Sequence, residues 1–221
     1  METRSAIVKF LPKRRGMKVK NPFVIVLVAV VVIIIYYSVQ VSRSSGDYVI
    51  NLINERKAKN EFMRSADDSP FGAAKKEFKG LNYFEPDLHY RISATLHPIQ
   101  EKKIVTLPAS DGSEMEYLEY GHAEFKMSGE VCKLLILELL DDAHRGTLFL
   151  AFADATSALE TYGAGRYLDL KKTPGATSIL LDFNEAYNPY CAYSENYACP
   201  LPPRENILKI AIRAGEKKYH D

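Results

Sequence analysis

Short apolar runs that alternate with polar residues dominate the chain from residue 89 onward. The run over 89–96 reads HYRISATL, whereas those over 131–140 and 147–153 are almost continuously apolar, as in strands covered on both faces. Turn signals separate the runs, and no helix-length pattern lies between them. The pattern therefore predicts a mainly β domain, an antiparallel barrel or two packed sheets in a sandwich-like arrangement, with helices on its N-terminal side.

Eight strands are predicted in all, and the third is broken near Gly121. They cover residues 89–96, 103–107, 114–127, 131–140, 147–153, 166–170, 178–183 and 207–213.

Helical spacing precedes the strands. Apolar residues over 47–63 recur at mixed helical spacing, which predicts a helical stalk that begins near Asp47. A cap residue followed by Pro70, and Gly80 further on, predict a short second helix over 71–79.

A run without charge covers residues 22–41. About 20 apolar residues in a helix span roughly 30 Å, the thickness of the hydrocarbon core of a bilayer, so the run predicts one transmembrane helix. Seven Lys and Arg residues precede it, and Arg43 is the only positive charge in the dozen residues after it. This bias places the N-terminus in the cytoplasm. The alternative, a cleaved signal peptide, has a shorter apolar core.

Four segments follow from these signals. They are a basic cytoplasmic segment (1–21), a transmembrane anchor (22–41), a helical stalk (42–66) and an extracytoplasmic β domain (67–221). The expected location is the cell membrane, with the C-terminal domain in the periplasm if the cell is Gram-negative. The lipid bilayer is then one partner. Nucleic acid is not expected, because the net charge of the chain is +1 and the outer part has interspersed charge without a basic stripe.

The segment over 182–217 is rich in tyrosine, asparagine and proline. Aromatic rings together with side-chain amide groups are common in sites that recognise ligands or partner proteins. The segment also contains Cys191 and Cys199, with seven residues between them. A disulfide is the leading interpretation, and closing this loop would contribute about 2–3 kcal/mol. A zinc site or a redox pair is the alternative, and Cys132 is expected to be a buried thiol.

A glycine-rich corner follows the strand that ends at residue 153. Glu160, Tyr162 and Arg166 could converge there as a carboxylate, a phenol and a guanidinium. The alternative is an Arg–carboxylate bridge that only fixes the corner. The glycines themselves predict positive φ angles or a close backbone approach.

Acidic and amide groups also lie at two strand ends. Asp154, Asp182 and Asn184 could cap turns, or they could line a polar pocket at the mouth of a barrel. If Asp154, Asp182 and Glu160 converged, an acid–base pair or a hard-metal site would be possible.

Three blocks carry a family resemblance: FLAFADATSALETYGAGRYLDL, DFNEAYNPYCAY and CPLPPRENILKIAIRAGEK. In this order they resemble the bacterial family known as domain of unknown function 1684, over about residues 56–217. The resemblance implies no established reaction. Tyr190 departs from it, because a second proline is expected there, and the departure concerns only turn geometry.

The leading functional hypothesis is a cell-envelope module that binds a small ligand or an envelope partner. The alternatives are an envelope enzyme, such as a hydrolase that uses Asp182, Glu160, Arg166 and Tyr162, and a purely structural protein. No motif assigns a catalytic residue, a cofactor or a metal. The candidate pocket residues are Asp154, Glu160, Tyr162, Arg166, Asp182, Asn184, Tyr187 and Asn188.

Overall fold

The computed structural model describes residues 22–72, 78–140 and 147–220. They form two compact units, one before Asp47 and one from Asp47 onward. Within the described residues, no helix combines the length and the apolar character that crossing a membrane requires. The transmembrane helix predicted over 22–41 is therefore not confirmed.

The helix α1 runs over Pro22–Ser65. It includes the helical stretch predicted over 47–63, but it begins well before Asp47. Leu52 and Met63 are buried, so the second unit includes the end of α1 and begins before the predicted boundary at residue 67. The second predicted helix (71–79) falls largely on residues 73–77, which lie outside the described residues.

The second unit contains a seven-stranded antiparallel sheet. Its order is β6-β5-β4-β3-β1-β7, and β2 pairs with β3. The strands are β1 (Arg91–Pro98), β2 (Ile104–Pro108), β3 (Glu114–Met127), β4 (Glu130–Glu138), β5 (Thr147–Phe152), β6 (Arg166–Lys171) and β7 (Ser178–Asp182).

The sheet curls into a nearly closed barrel, which confirms the predicted mainly β fold and, of the two predicted arrangements, corresponds to the barrel. A single bridge between Tyr167 and Tyr187 continues the pairing beyond β6. The register of β3 shifts between Glu119 and Gly121, so the predicted break is present as a bulge.

The eighth predicted strand, over 207–213, is wrong. Ile207 makes one parallel bridge to Ala153, and the rest of the segment forms no ladder. The backbone N–H and C=O of Ile212 bond instead to the side chains of Asp154 and Arg166. The alternating pattern nevertheless identified the core side, because Leu208 and Ile212 are buried.

Both faces of the sheet are covered. The barrel interior is aliphatic and aromatic, with fully buried Leu134, Ile136 and Leu148. Side chains of opposite parity, such as Leu137 and Phe149, form a second cluster on the outer face. This double covering accounts for the nearly continuous apolar character of β4 and β5.

Candidate functional site

A cavity of about 630 Å³ lies on the outer face of the sheet. Six aromatic rings contribute to its wall, together with Lys59, Asp169 and Cys199; the rings are those of Tyr117, Phe149, Tyr167, Tyr187, Tyr190 and Tyr197. Volume and lining suit a small organic molecule, because ligand sites in proteins are concave, mostly apolar and furnished with a few polar groups.

Three strands of the sheet, β3, β5 and β6, supply the floor of this aromatic cavity. Tyr117 of β3 stacks on Phe149 of β5 at 5.4 Å between ring centroids, and Tyr167 of β6 meets Phe149 edge-on at 4.7 Å. These side chains point away from the barrel interior because alternate residues of a strand face opposite sides. The sheet itself therefore holds three rings in a fixed arrangement.

The segment after β7 supplies the cover. Backbone hydrogen bonds join Tyr187 to Tyr167, and the Tyr167 hydroxyl donates to the Pro200 carbonyl at 2.5 Å. Tyr190 and Tyr197 pack edge to face at 5.2 Å. This tyrosine-rich segment after β7, the covering segment, thus lies over the outer face of the sheet and leaves the cavity beneath it.

A lysine from α1 stands at the rim. The Lys59 ammonium lies 3.1 Å from Glu216 Oε2 and 4.7 Å from the centroid of the Tyr187 ring. Glu216 is fully buried, and it also accepts hydrogen bonds from Asn188 Nδ2 at 3.0 Å and from the Tyr193 hydroxyl. Burial together with Glu216 raises the pKa of Tyr193 well above its usual value, which keeps this hydroxyl a donor. A buried carboxylate therefore fixes a partly exposed cation beside the cavity.

Asp169 is the acidic group of the lining. It is exposed, and it accepts a hydrogen bond from the Tyr187 hydroxyl at 2.9 Å. Burial, and next the charge of Asp169, raise the pKa of Tyr187. The Tyr187 hydroxyl therefore stays protonated at neutral pH and is fixed at the rim of the cavity.

Asp154 and Arg166 form a separate, saturated ion pair. Arg166 Nη2 lies 2.8 Å from Asp154 Oδ2, and both side chains are 1% exposed. The guanidinium also donates to the carbonyls of Ile212 and Ala214, while Asp154 Oδ1 accepts from the backbone N–H and the hydroxyl of Thr156. These contacts leave no face of the pair for a ligand.

The predicted convergence at the glycine corner does not occur. Arg166 pairs with Asp154 rather than with Glu160, which instead contacts Arg213 at 2.9 Å on the surface. The Tyr162 hydroxyl lies 3.7 Å from Cys191 Sγ. The alternative interpretation, an Arg–carboxylate bridge that fixes the corner, is correct for Arg166, but the carboxylate is that of Asp154 and not that of Glu160.

Asp182 and Asn184 belong to a third cluster. Asp182 accepts from the Tyr48 hydroxyl at 2.8 Å, pairs with Arg91 Nε at 3.1 Å and caps the turn that follows β7 by accepting from the Asn184 N–H at 3.1 Å. Asn184 exchanges two hydrogen bonds with the Asp87 backbone. The predicted capping role is thus the one observed.

Of the eight candidate pocket residues, Tyr187 alone lines the aromatic cavity, and Asn188 supports it through Glu216. Asp182 lines a smaller cavity of about 340 Å³ at the gap between β6 and β7, and Asn184 lines another of about 160 Å³ against α1. Across the described parts of the chain, no three His, Cys, Asp or Glu side chains are grouped as a metal site would need.

Sequence reasoning missed five groups of this cavity. Four of them were placed in strands, and their parity could have assigned them to the outer face: Tyr117, Phe149, Tyr167 and Asp169. Lys59 carried no signal, because its position beside Tyr187 depends on how α1 packs.

The three cysteines are free thiols in this structure, so the predicted disulfide is not present. Cys132 is buried in β4, as expected. Cys191 and Cys199 are nonetheless neighbours, since the backbone N–H of Cys191 donates to Cys199 Sγ at 3.2 Å.

Comparisons with known proteins agree with this fold. Residues 76–217, more than half of the chain, match the family described as "Protein of unknown function (DUF1684)". The solution NMR structure of an uncharacterized protein from gene locus rrnAC0354 of Haloarcula marismortui is similar, with 35% identity and a TM-score of 0.62. The match covers 79% of this chain and 96% of that one. No curated protein matches. The chain therefore belongs to the DUF1684 family of proteins of unknown function.

Proposed function

We propose that the protein is a binding module and that it holds a small ring-containing organic molecule in the aromatic cavity. The observation that carries the proposal is the wall itself, to which the sheet and the covering segment each contribute three aromatic rings. Aromatic walls bind planar or ring-shaped ligands by stacking and by apolar burial. The polar groups of the ligand would lie at the rim, near Lys59 and Asp169.

The alternative of a hydrolase has weaker support. It would require Asp182, Glu160 and Arg166 around one substrate, but these residues belong to three separate clusters, and the Arg166 guanidinium is already saturated. General acid–base chemistry needs two groups within reach of one reacting atom.

We infer a membrane location from the first unit of the chain. Its part of α1 exposes long apolar side chains, among them Phe23 at 72%, Ile33 at 52% and Tyr37 at 64%. Exposed apolar surface of this extent is characteristic of a membrane or partner contact. Sodium carbonate extraction of host membranes tests the location: retention in the pellet supports it, and release into the supernatant contradicts it.

Ligand-observed NMR tests the cavity. The probes are 2-naphthoate, 2-naphthylmethanol and 2-naphthylmethylamine, which share one ring system and differ in charge. Ala198 lines the cavity, so Ala198→Phe should fill it and abolish saturation transfer to all three probes. Asn196→Phe is the matched control, because Asn196 is exposed in the same segment and outside the lining. Equal transfer in both variants would contradict binding in this cavity.

A further inference from the structure

Two thiols that the binding proposal does not use lie against each other beside the aromatic cavity. Cys191 is in the 3-10 turn Tyr190–Ala192, and Cys199 is in the cavity wall. The Cys191 N–H donates to Cys199 Sγ at 3.2 Å. Cys191 is partly exposed, whereas Cys199 is 7% exposed. The arrangement therefore offers one accessible thiol with a second, more enclosed thiol behind it.

The surroundings favour the thiolate of Cys191. The thiol of Cys199 hydrogen-bonds to Cys191, and this bond lowers the pKa of Cys191 to about 6, with further help from Ser110 and Tyr162. The Tyr162 hydroxyl donates to Cys191 Sγ at 3.7 Å. The same bond to Cys191, and then burial, raise the pKa of Cys199. At neutral pH the thiol of Cys199 therefore stays protonated and Cys191 carries the thiolate, which makes Cys191 the better nucleophile.

We propose that Cys191 and Cys199 are a redox-active thiol pair in which Cys191 attacks a small organic disulfide and Cys199 resolves the product. In the first step, Cys191 thiolate forms a mixed disulfide with RSSR, and RS⁻ leaves. In the second, Cys199 loses its proton to solvent and attacks Cys191 Sγ; the Cys191–Cys199 bond forms and a second RS⁻ leaves. The two cysteines are oxidised by two electrons, and RSSR is reduced to two thiols.

This site differs from a permanent structural disulfide and does not depend on the proposed ligand. The fold is complete with both thiols free, since the Cys199 N–H and carbonyl bond to Ser110. The covering segment is also held by the Tyr167 hydroxyl at Pro200. The disulfide is consequently free to open and close without loss of the barrel.

The test exposes the reduced full-length protein to oxidised glutathione and follows its intact mass after acid quench. The wild type should become two hydrogens lighter and retain no glutathione, and dithiothreitol should reverse the change under native conditions. Cys199→Ser should accumulate one glutathione adduct, and Cys191→Ser should react at least about tenfold more slowly. Cys132 is buried in β4, so one thiol per chain should stay unreacted and serve as an internal control.

Three outcomes would overturn the proposal. They are equal adduct formation by Cys191→Ser and Cys199→Ser, a wild type that keeps three thiols, and a disulfide that dithiothreitol opens only after unfolding. None of these readouts depends on ligand binding, so the redox and cavity proposals fail separately.

A tyrosine variant gives an independent readout. Tyr162→Phe removes the hydroxyl at Cys191 Sγ, so the pH at which alkylation of Cys191 reaches half its maximal rate should rise. Tyr90→Phe removes a hydroxyl from a residue outside the cavity lining and should leave that pH unchanged. The same inflection in both variants and in the wild type would contradict the role of Tyr162.

Discussion

Two buried carboxylates, those of Asp154 and Glu216, differ in how exposed their partner cations are. Asp154 is paired with Arg166, and both side chains are 1% exposed. Glu216 is equally buried, but the side chain of its cation, Lys59, is 28% exposed and stands beside the aromatic cavity. The first pair is enclosed on every side, whereas the second ends at a surface that a ligand can reach.

The difference shows that residue type alone does not identify a site. An acidic residue, a tyrosine and an arginine near glycines suggested a pocket around Arg166. The guanidinium instead bonds to the Asp154 carboxylate and to backbone carbonyls of the last segment, those of Ile212, Ala214 and Glu216. A charged group becomes available for binding only where its hydrogen-bonding capacity is incomplete or where it faces open space.

Breaking the enclosed pair should have the largest effect on stability. Asp154→Asn leaves the Arg166 charge buried without its counterion, and removing one partner of such a pair costs about 3–5 kcal/mol. Urea unfolding measures the loss. Glu160→Gln is the control, because its pair with Arg213 is exposed and should contribute less than about 1 kcal/mol. A loss for Asp154→Asn as small as that of the control would refute the assigned role.

The glycine corner that holds the pair should be nearly as sensitive. Gly165 has φ +90°, and a Cβ there would lie 2.5 Å from the Phe152 carbonyl oxygen. The positive φ alone should make Gly165→Ala cost about 1–3 kcal/mol in free energy of unfolding, and the clash adds to this loss. Gly163→Ala is the matched control, because its Cβ would lie 3.4 Å from the Cβ of Ala158. Thermal unfolding should separate the two variants, and coincident transitions would be the contrary result.

Alkaline pH should unfold the protein through its buried tyrosines. Burial raises the pKa of Tyr167 and of Tyr193 above the ordinary value near 10. Above pH 10 the unfolded chain therefore loses these protons while the fold retains them. Stability is unaffected below pH 10 and falls above it by up to about 1.4 kcal/mol per pH unit for each such tyrosine. Absorbance at 295 nm should rise together with unfolding; ionisation of all tyrosines before unfolding would contradict their burial.

The pair at the cavity should affect binding more than stability. Lys59→Met removes the cation, but Glu216 keeps its hydrogen bonds from Asn188 and Tyr193. Because Lys59 is partly exposed and two donors to Glu216 remain, the loss of stability should be smaller than that of Asp154→Asn. The affinity for 2-naphthoate should fall about fivefold and that for 2-naphthylmethanol should not change, as calorimetric titration can show. An equal loss for both probes would mean that Lys59 acts by shape and not by charge.

Much of the barrel could be predicted from sequence because alternation and turn signals are local. Seven of the eight predicted strands are present, and the break in β3 lies at Gly121. The eighth segment alternates correctly, but Leu208 and Ile210 make only isolated backbone bonds to residues 153–155, and the backbone of Ile212 bonds to buried side chains. No local signal distinguishes such a segment from a strand.

The candidate site was less predictable because it depends on packing over long separations. The tyrosine-rich covering segment was identified, but the strand residues beneath it became cavity walls only because that segment covers them. Asp154 and Glu160 are both acidic and close in sequence to Arg166, and spacing could not select the true partner. The neighbours Lys59 and Glu216 are far apart in the chain.

Native mass spectrometry of the protein purified from its host shows whether the aromatic cavity holds a ligand. The wild type should carry a small organic mass that is lost on denaturation. Ala198→Phe should lack this mass, and Asn196→Phe should retain it. A folded wild type that carries no added mass and binds none of the three naphthalene probes would contradict a ligand site in this cavity.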